Sequence, residues 1–256
     1  IGTFGQSQQL LNLFNDVVIH RSVNLTCQVI IVNSFMIIFT RSACLGGAAT
    51  HLKFGDKHHF HSQGKVRVDF FMDLVEERQQ RPSWEVLDPM VVQRYMSGVY
   101  EQQCLLSWLE PEVKPSLIIV DSYFESTDKR FNHRSEPWSF CGLYGDVDHE
   151  LVTRDFHSGE LLAVDEIEGQ YDRFFAFAKQ KWNVPIIYLH FPNTQEDREI
   201  YLKQSEVITR AMEVMARKHG VQNIHAEPGE IEPMNDGDNY HYSERTARSL
   251  ANQIKI

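Results

Sequence analysis

The chain has 256 residues, of which 42% are hydrophobic and 23% are charged, and its formal net charge at pH 7 is −10. These fractions are those of a globular protein and exclude a disordered or fibrous chain. The negative charge disfavours a nucleic-acid partner, because binding to phosphates needs clustered lysine and arginine, so the expected substrate is a small molecule, a peptide or a glycan.

In chain order, the sequence begins with an apolar strand, a turn and a helix. Ile1 to Phe4 has the character of the end of a buried strand, Gly5-Gln6-Ser7 that of a turn, and the next residues have helical spacing. Val29 to Phe39 is rich in β-branched and aromatic residues, which predicts a strand buried on both faces. Arg41 to Gly47 is its expected exit loop.

The middle of the chain is less regular. His51 to Gly64 is polar and rich in histidine, which predicts a surface excursion. We predict helix for Val66 to Phe71 and for Pro89 to Leu109. Leu117 to Val120 is a short apolar run that predicts a third central strand. Glu125 to Gly159 has no steady period, so an inserted lid or long loop is expected there.

The last third alternates helix and strand and has clear boundaries. Gly220 is the expected C-cap of one helix, and Ser243 caps another. The predicted elements are a helix at Asp165 to Lys181, a strand at Val184 to Phe191, a helix at Tyr201 to His219, a strand at Val221 to Ala226 and a helix from Ser243 to Ile256.

This alternation predicts a three-layer α/β/α sandwich with a mostly parallel central sheet, as in flavodoxin-like folds. We favour a single domain over residues 1–256, with insertions near residues 51–64 and 125–159. Ligands of such sheets bind beyond the carboxyl ends of the strands. The loops at that edge are therefore expected to form the site.

No apolar run reaches the roughly 18 residues that can span a bilayer. The longest, Val29 to Phe39, is interrupted by Asn33 and Ser34. We therefore expect a soluble, cytoplasmic protein. The first residue is Ile1 rather than Met, which leaves open the prior removal of a signal peptide.

Cysteine and histidine patterns favour neither a metal nor a redox site. The cysteines show no paired spacing, and we interpret them as free thiols rather than disulfides; they are Cys27, Cys44, Cys104 and Cys141. A zinc or nickel site would need three or four of the clustered histidines to converge, and surface histidines are the simpler interpretation; they are His51, His58, His59 and His61. Gly2 and Gly5 lack the spacing of a nucleotide loop. No cofactor is expected.

Ser7 is the first candidate for chemistry. It stands on the turn between the first strand and the first helix, where free N–H groups and the helix dipole stabilise an anion. A serine at this place is either a nucleophile or an N-cap. The other end of the chain bears on that choice.

Asp238-Asn239-Tyr240-His241 lies between the last strand and the last helix, at the sheet edge expected for Ser7. His241 is suited to take the Ser7 proton, and Asp238 to hold the imidazole in the required tautomer. A solvated loop is the other interpretation of the tetrapeptide.

Together, Gly-Xaa-Ser after a first strand and Asp-Xaa-Xaa-His before the last helix resemble the first and last blocks of the SGNH, or GDSL, hydrolase family. The resemblance implies a Ser7 acyl-enzyme, with His241 activating water or an acceptor alcohol. It also implies a glycine N–H donor after the second strand, for which Gly46 or Gly47 fits. The family's asparagine donor after the third strand is replaced by Asp121-Ser122-Tyr123.

Gly5-Gln6-Ser7-Gln8, Arg41-Ser42 and Asp121-Ser122-Tyr123-Phe124 also resemble a group of SGNH-like proteins of bacterial surface-polysaccharide biosynthesis. This resemblance implies an acyl-ester hydrolase or O-acyltransferase that acts on a carbohydrate. Arg41 then contacts an anionic group or forms a structural salt bridge. A non-catalytic carbohydrate-binding or assembly protein on the same scaffold is the alternative function.

Overall fold

The computed structural model describes residues 36–55, 58–64, 66–77, 108, 113–143, 149–157, 159–194, 196–235 and 241–256. These residues fall within one unit of the chain, Phe35–Ile256. The predicted strand at Ile1 to Phe4, the turn at Ser7, most of the run from Val29 and, apart from Trp108, the helix at Pro89 to Leu109 lie outside them. For these segments, and for a single domain over residues 1–256, the expectation stays a prediction.

The described elements alternate along the chain as follows. The strands are β1 (Ile37–Arg41), β2 (His59–Ser62), β3 (Leu117–Asp121), β4 (Asp128–Asn132), β5 (Ser139–Leu143), β6 (Ile186–Leu189) and β7 (Gln222–Ile224). The helices are α1 (Cys44–Phe54), α2 (Val68–Val75), α3 (Tyr123–Thr127), α4 (His149–Asp155), α5 (Ile167–Lys181), α6 (Glu199–His219) and α7 (Glu244–Gln253), with a 3₁₀ turn at Pro228–Glu230.

Five of the described strands form one sheet in the order β2-β1-β3-β6-β7, and every neighbouring pair among them is parallel. All residues of β3 and β6 are buried, as expected of strands that helices cover on both faces. This is the flavodoxin-like order, in which the direction of chain progress reverses between β1 and β3. The prediction of a mostly parallel sheet is confirmed.

Helices cover both faces of the sheet. On one face, α1 and α7 pack in an apolar cluster that includes Ile38 and Ile119. On the other, α2, α5 and α6 pack in a cluster that includes Phe39 and Val120. Successive residues of a strand therefore point to opposite layers, and the predicted three-layer sandwich is confirmed.

The boundaries predicted for the last third agree with the structure. Gly220 ends α6 in a left-handed conformation, with φ of 61° and ψ of 42°, which glycine adopts without the steric cost of a Cβ. Ser243 stands at the N-cap of α7, although its hydroxyl donates to the Glu232 carboxylate at 2.9 Å instead of capping the helix. The predicted helix from Asp165 is confirmed as α5, and the predicted strands from Val184 and Val221 as β6 and β7.

Two predictions for residues 41–64 are wrong. The exit loop predicted for Arg41 to Gly47 is short, because α1 begins at Cys44. The surface excursion predicted for His51 to Gly64 instead contains the end of α1 and all of β2. Within the described sheet β2 pairs with β1 alone. Because its exposed positions carry polar side chains, its sequence lacks the apolar pattern that predicts a strand.

The lid or long loop predicted for Glu125 to Gly159 is also wrong. After α3, β4 and β5 form an antiparallel hairpin that α4 follows. Two arginines attach it to the rest of the fold: Arg67 donates to the Glu160 carbonyl at 2.6 Å, and Arg130 pairs with Asp69 at 3.2 Å. Such long-range contacts leave no periodic pattern in the sequence.

Candidate active site

Polar residues stand at the carboxyl edge of the sheet, at the point where the strand order reverses. Ser42 directly follows β1, Asp121 is the last residue of β3, and Ser122 comes next. In open α/β sheets ligands bind at this place. These residues are therefore the first candidates for chemistry.

Asp121 extends from β3 towards α1. Ile119, two residues earlier, packs in the cluster of α1 and α7, and alternate residues of a strand share a face. Oδ2 of Asp121 accepts the main-chain N–H of Ala43 at 2.7 Å, and Oδ1 accepts that of Tyr123 at 3.2 Å. The carboxyl group thus joins the turn after β1 to the start of α3.

The environment of Asp121 favours its neutral form. Its side chain is almost completely enclosed, with the residue 1% exposed. Burial raises the pKa of the carboxyl to about 7, against the opposing effects of the Ala43 N–H and the Arg41 guanidinium. Protonated and ionised forms are therefore both populated near neutral pH.

Gly46 allows this close approach of Asp121 to α1. A Cβ at position 46 would lie 2.5 Å from Asp121 Oδ2 and 2.8 Å from Ser42 Cβ, closer than non-bonded atoms can come. At Gly47 the nearest atom to an added Cβ would be Ser42 Oγ, at 4.0 Å. Both glycines lie in the first turn of α1, after the strand that the sequence analysis counts as the second. Because the predicted first strand lies outside the described residues, their role as N–H donors stays a prediction.

Ser42 lies close to the amino end of a helix. It is half-buried, directly after β1 and two residues before the first residue of α1. The first N–H groups of a helix have no partner within the helix, and they favour a negative charge nearby. The sequence analysis did not single out Ser42 as a candidate nucleophile; the available signal was its place shortly after an apolar run and before a stretch of small residues.

Contacts with residues that follow β6 and β3 hold Tyr242, the residue after His241. The Tyr242 hydroxyl donates to the Pro192 carbonyl, and the Tyr242 ring packs edge-on against Phe191 with centroids 5.3 Å apart. The Phe191 N–H donates to Ser122 Oγ at 2.7 Å. His241 precedes Tyr242 and is exposed, and α7, which follows, packs on α1. His241 therefore lies on the same face of the sheet as Asp121.

The predicted site residues divide into two groups. Ser7 and Asp238 lie outside the described residues, so their roles stay predictions. The structure places five of the others at or beside the carboxyl edge of β1 and β3, and these are Arg41, Gly46, Gly47, Asp121 and Ser122. His241 precedes Tyr242, which packs against Phe191 after β6. Ser122 is buried, and its hydroxyl oxygen accepts the Phe191 N–H. This hydrogen bond connects the residues that follow β3 to those that follow β6.

The chain is similar to solved structures of hydrolases at low sequence identity, whereas no protein-family model and no curated protein matches it. An α/β hydrolase enzyme from the metagenome of Lake Arreo, Spain, is 12% identical with a TM-score of 0.43, over 85% of this chain and 92% of that chain. A carbohydrate esterase family 2 enzyme with a carbohydrate binding domain, from Corynascus thermopiles (Myceliophthora fergusii), is 9% identical with a TM-score of 0.44. The match covers 86% of this chain and 64% of that chain. An active-site mutant of a family two carbohydrate esterase from Clostridium thermocellum is 9% identical with a TM-score of 0.41. The match covers 85% of this chain and 61% of that chain. This chain spans less than two thirds of both carbohydrate esterases, and at these identities the similarity assigns it no function.

Arg41 belongs to a buried ion pair. Its side chain is fully enclosed, and Nη1 donates to Glu125 Oε1 at 2.6 Å and to the Val66 carbonyl at 2.7 Å. Glu125 Oε2 accepts the Tyr171 hydroxyl at 3.0 Å. Burial acts to lower the pKa of Arg41, but the Glu125 carboxylate outweighs it and the pKa is raised. Of the two roles that the sequence leaves open for Arg41, the geometry favours the structural salt bridge.

Two stacked histidines at the ends of β6 and β7 belong to the opposite layer. The rings of His190 and His225 are 3.8 Å apart and nearly parallel, and His190 Nε2 hydrogen-bonds Asn223 Oδ1 at 2.7 Å. Burial lowers the pKa of His190 to about 3, so its ring is uncharged at neutral pH. It contacts Tyr188, which packs with α2, α5 and α6. This pair therefore faces away from Ser42.

Within the described ranges, no group of three or more His, Cys, Asp or Glu side chains is placed to hold a metal ion. His58 instead makes a local hydrogen bond to the Phe54 carbonyl at 2.5 Å. Of the cysteines in the described residues, Cys44 is exposed and Cys141 is buried, and neither forms a disulfide. None of the described helices combines the length and apolar character that crossing a membrane requires.

Proposed function

We propose that this protein is a serine-dependent acyl-ester hydrolase or acyltransferase, with Ser42 as nucleophile and His241 as general base. The position of Ser42 carries the proposal, because it lies half-buried between β1 and the first turn of α1, beside Asp121. The SGNH resemblance supports it, since that family's nucleophile follows the first strand of the sheet. Among the described strands of the sheet, in the order β2-β1-β3-β6-β7, β1 comes first along the chain.

The proposed reaction passes through an acyl-enzyme. His241 takes the Ser42 proton as Oγ attacks the ester carbonyl, and Asp238 orients the imidazole. N–H groups at the start of α1 stabilise the oxyanion. The ester C–O bond then breaks, and His241 gives its proton to the leaving alcohol. Water or an acceptor hydroxyl attacks the acyl-enzyme in the same way, which releases an acid or a new ester and restores Ser42.

When the described strands are counted from β1, the donors implied by the family resemblance fall on other residues. The glycine after the second strand corresponds to Gly64, because β2 ends at Ser62. The asparagine after the third strand corresponds to Asp121-Ser122, as the sequence already indicates. Gly64 therefore replaces Gly46 and Gly47 as the proposed second N–H donor.

The proposed substrate is an O-acyl ester of a carbohydrate or polysaccharide. It is supported by the likeness of Arg41-Ser42 and Asp121-Ser122-Tyr123-Phe124 to SGNH-like proteins of surface-polysaccharide biosynthesis. Ser7, on its Gly-Gln-Ser turn, is the alternative nucleophile for the same chemistry. A test must therefore distinguish the two serines.

Fluorophosphonate labelling, read by intact mass and then by peptide mapping, makes this distinction. We expect one adduct on the wild type and on Ser7→Ala, and none on Ser42→Ala. Ser116→Ala is the matched control, because Ser116 is exposed at the amino end of β3, on the opposite edge of the sheet. His241→Ala should slow labelling about 100-fold or more, since general bases contribute that much.

The outcomes separate the alternatives. Loss of the adduct in Ser7→Ala, with labelling retained in Ser42→Ala, would move the nucleophile to Ser7 and keep the chemistry. A folded wild type that takes no label and turns over no short-chain aryl ester would contradict the hydrolase proposal.

A non-catalytic carbohydrate-binding or assembly protein on this scaffold is the second candidate function. Asp121 favours it, because its carboxyl group already occupies the Ala43 N–H and stands where the family has an asparagine donor. A carboxylate at that place opposes a developing oxyanion. Calorimetric binding of an acylated oligosaccharide to wild-type protein that forms no fluorophosphonate adduct would select this function.

A further inference from the structure

Asp121 is built into the protein as a support and not as a substrate contact. The residue is 1% exposed, and both of its carboxyl oxygens accept main-chain N–H groups, from Ala43 and from Tyr123. A carboxyl group enclosed in this way meets a ligand only after it has released these bonds. Its role must therefore be sought in what it holds.

What Asp121 holds is the residue directly after Ser42. Ala43 is the N-cap of α1, in an extended conformation with φ of −78° and ψ of −173°, and its own side chain makes no capping hydrogen bond. The Asp121 carboxyl binds the Ala43 N–H instead, at 2.7 Å. That distance is at the short end of the range for N–H···O hydrogen bonds.

Helix α1 is shaped to receive this carboxyl group. Position 46 has no Cβ, and a Cβ there would collide with both Asp121 Oδ2 and Ser42 Cβ, at 2.5 and 2.8 Å. Asp121 and Ser42 therefore both pack against the backbone of the helix at Gly46, which has no side chain. A hydrogen bond and a close packing contact together fix the carboxyl group relative to the serine.

We propose that Asp121 is the positioning residue for Ser42: by holding the Ala43 amide, it sets the direction from which the Ser42 side chain attacks. This inference rests on the proposed function of Ser42. A displacement of about 1 Å between reacting groups costs about 100-fold in rate. Loss of the Asp121 support should therefore reduce the reactivity of Ser42 while the serine itself remains.

The test measures fluorophosphonate labelling of Ser42 in the full chain, together with hydrogen exchange of the peptide that contains the Ala43 amide. In Asp121→Ala we expect the limiting labelling rate to fall between about 10-fold and about 100-fold. The reagent concentration for half-maximal rate should change little, and exchange at Ala43 should accelerate. Asp121→Asn keeps one acceptor oxygen, so it should recover part of the lost rate.

Asp69→Ala is the matched control. Asp69 is another buried carboxylate, held by Arg67 and Arg130 on the layer opposite α1. Its loss removes a buried carboxyl group but no contact with the turn of Ser42. All variants are compared at a temperature at which circular dichroism shows each to be folded. Asp69→Ala should then label Ser42 at the wild-type rate.

Each outcome has a distinct meaning. Faster exchange at Ala43 with an unchanged labelling rate overturns the positioning role, and so does unchanged exchange. If Asp121→Ala does not fold, Asp121→Asn carries the test alone, and a wild-type labelling rate in that variant overturns the inference. If wild-type Ser42 takes no label although exchange at Ala43 responds, the proposed function fails and this inference falls with it.

Discussion

Alanine at Gly46 and alanine at Gly47 should have opposite effects on stability. Both positions lie in the first turn of α1, and in a helix alanine is favoured over glycine by up to about 1 kcal/mol. At Gly47 the new Cβ would meet Ser42 Oγ at 4.0 Å, an ordinary contact. Gly47→Ala should therefore be neutral or stabilising by up to about 1 kcal/mol.

At Gly46 the added methyl group would collide with Asp121, which can move away only by weakening its own hydrogen bonds. The new Cβ would lie 2.5 Å from Asp121 Oδ2, and Asp121 is held by two main-chain N–H groups. Overpacking costs about 1–3 kcal/mol, and weakening the bond from Ala43 to the carboxyl adds about 1 kcal/mol or more. After the gain in helix propensity, Gly46→Ala should destabilise by about 1–3 kcal/mol, which puts it about 2–4 kcal/mol below Gly47→Ala.

Urea unfolding, followed by circular dichroism, measures this difference. The two variants should differ in midpoint and share the wild-type slope, because a change in midpoint at constant slope is a change in stability. Gly46→Ala should also slow labelling of Ser42, since it displaces the same carboxyl group. A Gly46→Ala protein as stable as Gly47→Ala would refute the close packing of Asp121 against α1.

Three further predictions concern the rest of the fold. Glu125→Ala should lower the free energy of unfolding by about 3–5 kcal/mol, because it leaves the Arg41 charge buried without its partner; thermal unfolding measures this. Gly220→Ala should cost about 1 kcal/mol at the left-handed end of α6, whereas Gly169→Ala in α5, with open space around it, should gain stability; urea midpoints compare the two. Arg67 and Arg130 outweigh burial and hold the pKa of Asp69 at about 2, below the ordinary 3.8, so Asp69 contributes about 2 kcal/mol above pH 4 that is lost as the pH falls towards 2.

Each of these predictions has a control. Arg41→Met combined with Glu125→Leu should be less destabilised than Glu125→Ala alone, and an equally unstable double variant would contradict the cost of an unpaired charge. A neutral Gly220→Ala would contradict the left-handed cap. For Asp69, the stability difference between wild type and Asp69→Asn should shrink between pH 5 and pH 2, and a constant difference would argue against the lowered pKa.

The sequence predicts the elements that are buried on both faces. The apolar runs of β3 and β6, and the regular spacing in α5 and α6, each carry a local signal. β2 carries no such signal, because its four residues, His-Phe-His-Ser, pair with one neighbour in the described sheet and are partly exposed. A strand at the edge needs few apolar residues, so its identity depends on the partner that only the fold supplies.

The candidate site is harder to predict than the sheet that supports it. Gly5-Gln6-Ser7 resembles a known motif, whereas Ser42 follows Thr-Arg and has no flanking glycine. Its candidacy comes from the place of β1 beside the point where the strand order reverses. Gly46 lies against Asp121 through a contact between residues about 75 positions apart, which spacing cannot reveal.

The buried pair of Arg41 and Glu125 restricts how this protein can change during evolution. Either residue alone is costly, while both can be exchanged together for apolar residues at little cost. In homologous proteins the two positions should therefore covary, with both charges present or both absent. Because Arg41 immediately precedes Ser42 and Glu125 follows Asp121 by four residues, this covariation would identify the β1 and β3 ends of distant relatives from their sequences alone.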